Sequence, residues 1–115
     1  MYNDNNIFAK IISGEAESKK IYEDDNVLCF EDIAKSAPTH WLVIPKGKYT
    51  DFSDFTSRAS SEEISIFFQT LTKILKYNGL DQTGYRLVMN TGKDSGQIVF
   101  HFHVHILANK KVNPK

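Results

Sequence analysis

Apolar and polar positions alternate through Phe100-His101-Phe102-His103-Val104-His105-Ile106, near the end of the chain. Successive side chains of an extended strand point to opposite faces, so residues 95–107 predict one strand. Phe100, Phe102, Val104 and Ile106 would face a core, and His101, His103 and His105 would share the other face. Four more stretches read as strands. Residues 20–23 and 27–32 form a hairpin turned by Asp24-Asp25-Asn26, residues 41–45 run to Pro45, which ends the ladder or lies on an edge, and residues 85–90 make the last.

A helical period replaces the alternation after Ser60. Ser60-x-x-Glu63 is a capping box, and Asn78-Gly79-Leu80 is a glycine-type helix end. At about 100° per residue, Ile64, Phe67, Phe68, Leu71, Ile74 and Leu75 fall in an arc about 120° wide, a core-facing stripe. Ile66 and Tyr77 fall together on roughly the opposite side. A short helix is predicted over Ile7–Ile12, with Asn6 as N-cap, Gly14 as its stop and Ile7, Phe8 and Ile11 on one face. Gly47–Ser57 reads as a connecting loop that turns Tyr49, Phe52 and Phe55 inward. Five strands, one long and one short helix, and no strand–helix alternation predict an α+β fold on a mainly antiparallel five-stranded sheet.

The row of three imidazoles carries the candidate chemistry. Solvated surface histidines are the alternative, but three in register beside a glycine loop favour function, because imidazole near pH 7 serves as nucleophile, base or cationic donor. A metal site is one possibility, since catalytic zinc often takes three protein ligands. With about 3.3 Å rise per residue, His101 and His105 would start about 13 Å apart, too far to share an ion with Zn–N bonds of about 2.0–2.1 Å. Two of them could converge with His40, yet the chain has no His-Glu-x-x-His pair and a single cysteine. No metal and no cofactor are expected.

Phosphoryl chemistry is the stronger reading. Asn90-Thr91-Gly92-Lys93-Asp94-Ser95-Gly96-Gln97 leads directly into the histidines, and its glycines permit backbone conformations that aim N–H groups at an anion. A histidine can form a covalent intermediate that splits one displacement into two. Neighbouring imidazoles about 6.6 Å apart on a strand would repel, if both charged, by roughly 2.5 kcal/mol at an effective dielectric near 20. Part of the row is therefore expected to be neutral, as a nucleophilic nitrogen requires.

Gly96-Gln97-x-Val99-x-His101-x-His103-x-His105 resembles the signature of the histidine triad (HIT) superfamily. Asn6-Ile7-Phe8-x-Lys10-Ile11-Ile12, Asp32-Ile33-x-x-x-Ala37-Pro38-Thr39-His40, Leu42-Val43-Ile44-Pro45-Lys46 and Tyr85-Arg86-Leu87-Val88-x-Asn90 resemble its nucleotide-binding, Hint-like branch, in the same order. The likeness covers roughly residues 6–108. It implies a hydrolase of purine nucleoside phosphoramidates or related nucleoside monophosphate conjugates. His103 would attack phosphorus, His105 and Asn90 would sit at the phosphate, and the Gly96-Gln97 backbone, followed by Ile98, would hold phosphate oxygens. His101 would buttress the nucleophile through its carbonyl, and His40 would orient the triad. Ile7, Phe8 and Ile33 would belong to the nucleotide pocket. Asp32, from spacing alone a solvated strand-end carboxylate, would bind ribose hydroxyls. Ile98 replaces a serine of close eukaryotic relatives, and their Trp-Pro-Pro-Gly ending is absent, which bears on the leaving group. A dinucleoside polyphosphate hydrolase and a nucleotide sensor with little turnover are the alternatives.

Composition narrows the partners. At 115 residues the chain predicts a single domain, residues 1–115, able to bury a core. Fourteen basic residues balance fourteen acidic ones, which argues against a nucleic-acid binder, whose affinity rests on clustered Lys and Arg. No run of apolar residues is long enough for a membrane, and Met1-Tyr2-Asn3-Asp4-Asn5-Asn6 is unlike a signal peptide. The expectation is a cytoplasmic protein that takes a purine nucleotide as substrate. Cys29, between Leu28 and Phe30, reads as a small core residue. Ile66 and Tyr77, outside the helix stripe, predict a homodimer, as the resemblance also implies. Residues 109–115 read as a polar, fraying tail.

Overall fold

The computed structural model describes residues 1–109. Helix α1 (Ile7–Ser13) starts where the Asn6 side chain accepts the Ala9 amide and stops at Gly14, whose φ of 88° is a left-handed conformation suited to glycine. Strands β1 (Lys20–Glu23) and β2 (Val27–Glu31) form the expected hairpin, closed by the Asp24 carboxylate on the Asn26 and Val27 amides. With β3 (Thr39–Pro45), β4 (Tyr85–Val88) and β5 (Val104–Ala108) they build a five-stranded sheet in the order β1-β2-β3-β5-β4. Every neighbouring pair is antiparallel, so the sheet is of the expected α+β kind.

Alternation along β2, β3 and β5 sends side chains to two different cores. Val27, Cys29, Val43, Val104, Ile106 and Ala108 face α3 (Ser61–Tyr77), which buries Phe67, Leu71, Ile74 and Leu75 against them. Ser60 caps that helix by accepting the Glu63 amide. The Glu63 carboxylate accepts the Tyr49 hydroxyl. On the other face, Leu28, Phe30, Leu42 and Ile44 pack with Phe8 and Ile11 of α1 and with the partly buried Ile12, Ala16 and Val99.

Four expectations are corrected. Residues 47–57 are not all loop: Asp51 caps a helix α2 (Phe52–Arg58), Phe55 is buried, and Phe52 is 39% exposed rather than inward. A further short helix, α4 (Leu80–Thr83), follows α3, and a 3-10 turn spans Lys93–Ser95. Hence "one long and one short helix" undercounts. The histidine segment is not one strand from 95 to 107, because only Val104–Ala108 joins the ladder. Phe100, assigned to the core, is 45% exposed.

The backbone explains the broken strand. β5 pairs with β3 as far as Val43↔Val104, and two residues on stands Pro45, which has no N–H to continue the ladder. The preceding segment bonds instead to the chain after β3: Phe102 N–H to Tyr49 O at 2.7 Å, and Gln97 Nε2 to Thr50 O at 2.8 Å. Phe102 stays buried, stacked on Phe55 with ring centroids 5.0 Å apart. Apart from Asn109, the tail lies outside the described residues.

Candidate active site

The thinly covered face of the sheet opens into a cavity of about 420 Å³. Ile7, Phe8, Ile33 and Ile98 supply apolar walls; Ile33 is 99% and Ile98 86% exposed, so both stand at its mouth. Asp32, Asn90, Gln97, His103 and His105 line it with polar groups, and Gly96 completes the glycine-loop side. The structure thus gathers residues from α1, the ends of β2 and β4, the glycine loop and β5 into one cleft. His101 and His40 do not line it. They stand behind His103 and His105.

Hydrogen-bond partners assign the ring protons. His103 Nδ1 lies 2.7 Å from the His101 carbonyl oxygen, which only accepts, so Nδ1 carries the proton and Nε2 is left bare. The Ser36 N–H donates to His40 Nδ1 at 3.0 Å, so the His40 proton is on Nε2. That nitrogen is 2.9 Å from His105 Nδ1 and 3.3 Å from Asp32 Oδ2. His105 Nδ1 therefore accepts, and its own proton sits on Nε2. His40 and His105 meet because they are diagonal neighbours, with His40 opposite Leu107 and His105 opposite Leu42.

All four imidazoles are held below their ordinary range. Burial is the largest cause in each case, and it pushes His101 and His105 down to about 4. The His103 ring lowers His101 and His105 further, while the Asp32 carboxylate pulls His40, His103 and His105 the other way. The row is therefore neutral at pH 7, and the 3.3 Å His40–Asp32 contact is the approach of a carboxylate to a neutral ring rather than an ion pair. Neighbouring rings of the row, His103 and His105, are 5.1 Å apart between centroids, closer than ideal strand spacing.

Asp32, His40 and His105 offer ligand atoms within 4.8 Å of one another. The donor set does not fit a metal ion. A cation on His40 Nε2 would require that nitrogen to be bare, and with the Ser36 N–H on Nδ1 the ring would then hold no proton at all.

The glycine loop departs from expectation. Gly92 (φ 79°) and Gly96 (φ 88°) adopt conformations that favour glycine, but the Gly96 and Gln97 amides point back into the loop, to Lys93 O and Gly92 O. The Gln97 side chain is also occupied, accepting from Gly92 N and donating to Thr50 O and Val99 O. The next two amides, Ile98 N–H and Val99 N–H, have no partner among the described residues and belong to cavity-lining residues. Asp32 Oδ1 accepts the Ala34 amide at 2.8 Å, which holds the carboxylate at the cavity mouth.

Sequence reasoning missed Tyr2, in hydrogen-bond contact with His101 Nδ1, and Ser18, whose buried Oγ has no partner among the described residues and whose residue lines the cavity. Neither carries a local pattern, so no sequence signal pointed to them.

An antiparallel α+β sheet with a neutral histidine row at the floor of a single-sided cleft defines a class, and the comparisons place the chain within it. Residues 13–112 match the family model described as the HIT domain, and the chain belongs to that family. It is 51% identical over 112 residues to a HIT-like protein of Rickettsia prowazekii, covering 97% of this chain and 93% of that one. It is 38% identical over 108 residues to the purine nucleoside phosphoramidase of Escherichia coli K12, covering 94% and 90%. The solved structure of a histidine triad protein from Clostridium difficile superposes with a TM-score of 0.86 at 43% identity, covering 100% of this chain and 99% of that one. Among the described residues, no helix is long and apolar enough to cross a membrane.

Proposed function

We propose that this protein is a nucleotide-binding hydrolase that cleaves purine nucleoside phosphoramidates, or related nucleoside monophosphate conjugates, through a nucleotidyl group on His103. One observation carries the reading: a neutral, desolvated imidazole has its Nδ1–H anchored on a backbone carbonyl and its bare Nε2 on a residue lining the cleft. In the first step the Nε2 lone pair bonds to phosphorus while the bond from phosphorus to the leaving nitrogen breaks, and the amine departs with a proton from solvent. In the second, water attacks phosphorus and gives up a proton to solvent, the bond to Nε2 breaks, and the monophosphate leaves.

The remaining residues take roles that fit their positions. The His105 Nε2–H donates to a phosphoryl oxygen, and His40 keeps it in that tautomer. The Ile98 and Val99 amides, with Asn90, hold the other oxygens, so the anion is met by fixed donors as charge develops. Asp32 accepts from ribose hydroxyls, and Ile7, Phe8 and Ile33 cover the base, since small-molecule pockets are mostly apolar with a few placed polar groups. The relative of Escherichia coli named for phosphoramidase activity supports this substrate class.

Turnover of adenosine phosphoramidate, adenosine monophosphate–lysine and a diadenosine polyphosphate, ranked by kcat/KM, tests the reading. A phosphoramidate is expected first. A diadenosine polyphosphate ranked first, or tight nucleotide binding with no turnover, would replace it with one of the alternatives.

The proposal extends to a homodimer. Besides Ile66 and Tyr77 on α3, the edge strand β4 exposes Tyr85 and Leu87, with Met89 just beyond, and an apolar unpaired edge is a template for pairing. A second copy laid antiparallel along β4 would cover it. Light scattering of wild type and Leu87→Lys at micromolar concentration should show dimer and monomer.

A further inference from the structure

Residues 1–6 belong to no helix or strand, yet Tyr2 reaches the first histidine of the row. Its hydroxyl is in hydrogen-bond contact with His101 Nδ1, and the two rings meet edge-on with centroids 5.5 Å apart. The opposite ring nitrogen, His101 Nε2, lies 2.7 Å from the Pro45 carbonyl oxygen. A carbonyl only accepts, so Nε2 carries the proton of the neutral ring, Nδ1 is bare, and the Tyr2 hydroxyl is the donor. His101 is fully buried at 0% exposure, and a buried acceptor stripped of its donor is left unsatisfied. The segment is also tied by an Asp4–Lys48 ion pair at 2.9 Å.

The same residue holds the nucleophile. The His101 carbonyl accepts His103 Nδ1–H at 2.7 Å, so any rotation of the His101 unit is passed to the ring that must present Nε2. Tyr2 itself does not line the cavity. Its hydroxyl contacts the site through the His101 ring.

We propose that Tyr2 is a positioning residue whose hydroxyl locks the His101 ring and, through the His101 carbonyl, sets the orientation of His103. The N-terminal segment is then a strap across the back of the active site. This rests on the assignment of His103 as nucleophile for its consequence on turnover, although the grip on His103 is a property of the folded protein alone. Catalysis is sensitive to sub-ångström placement of the attacking atom, whereas base and ribose contacts lie elsewhere in the cleft.

Full-length Tyr2→Phe keeps the ring that packs on His101 and removes only the hydroxyl. With adenosine phosphoramidate it should lower kcat about tenfold and leave KM within about twofold. A packing role would be rescued by phenylalanine, so wild-type kcat in Tyr2→Phe overturns the proposal. Nitrogen-15 resonances of the histidine side chains give a readout independent of turnover. In Tyr2→Phe the His101 Nδ1 signal should move to that of an unbonded imine nitrogen, and the His103 Nδ1–H signal should shift with it. Unmoved His103 resonances overturn the proposal even if kcat falls. If the wild-type protein turns over no phosphoramidate, the functional reading fails while these resonances still decide the role of Tyr2. Should Tyr2→Phe not fold, 3-fluorotyrosine at position 2 retains the bond with a stronger donor, and it should move the His101 and His103 signals in the opposite sense; unmoved signals count against the proposal.

Discussion

The two faces of the sheet are built from the same strands and packed to different ends. On one, the seventeen-residue α3, joined by α2 and α4, closes over the strands and an aromatic group in which Phe55 touches Phe67, Phe68 and Phe102. On the other, α1 has seven residues and covers only part of the face. A helix rises about 1.5 Å per residue, so the short one spans roughly 10 Å and leaves the rest open. The uncovered part is the cleft, and the histidines line its floor and back. What one face spends on stability the other leaves for a ligand.

That contrast is broken most severely by paired substitutions. His103→Ala should lower kcat by more than about a thousandfold, because the other unprotonated ring nitrogens, on His40, His101 and His105, are each occupied by a hydrogen-bond donor, while nucleotide binding persists. Rapid acid quench with labelled substrate followed by peptide mapping should find label on His103 in the wild type and none in the variant. Phe67→Ala, on the closed face, should instead cost about 3–5 kcal/mol of stability and leave kcat of the folded fraction near wild type. Urea unfolding reads the second effect, and label appearing on His105 would refute the first.

Stability on the open face should also depend on pH. Unfolded His101 titrates at its ordinary 6.5, but in the fold it titrates at about 4. Between those values the unfolded chain binds a proton that the folded one does not, so stability is fully present above 6.5 and falls as pH drops toward 4. For His101 the loss is on the order of 3 kcal/mol, and His105 adds in the same direction. Urea midpoints at pH 7 and pH 5 capture the larger part of it; Phe67→Ala should keep the slope, and His101→Asn should reduce it, with His105 carrying the remainder.

Smaller effects separate binding from chemistry. Asp32→Ala should raise KM about tenfold with little change in kcat, because a ribose contact remote from phosphorus contributes binding shared by ground and transition states. A large fall in kcat at unchanged KM would place the carboxylate at the reacting centre. Least affected of all is Cys29 on the closed face, fully buried with its thiol pushed up to about 12. Native protein at pH 7.5 should not react with iodoacetamide, and unfolded protein should.

Much of this was legible along the chain. The hairpin, α1 with its Asn6 cap, the core stripe of α3 and the five strands follow from local patterns, each readable within one or two turns or pleats. Residues named by likeness to the HIT motifs, among them Asp32, Asn90, His103 and His105, are brought by the structure into one cavity, together with Ser18, which no motif marked. Helix α2 escaped because Phe52-Ser53-Asp54-Phe55-Thr56-Ser57-Arg58 has weak helix formers; it is held by the Asp51 cap, Arg58 on the Asp54 carboxylate at 2.6 Å and burial of Phe55. The break in the histidine strand escaped because alternation does not reveal where a partner strand ends.

By itself the sequence determined the alternation that separates core residues from imidazoles, the helix ends and the family. Only the tertiary structure decided which imidazole nitrogen is bare. That choice depends on the Ser36 amide, the His101 and Pro45 carbonyls and the Tyr2 hydroxyl, groups that identify no tautomer until the fold sets them beside a ring. An isolated histidine in water exchanges its proton between two nitrogens; a buried one keeps it where a fixed carbonyl accepts it, because leaving either group unpaired away from water is costly.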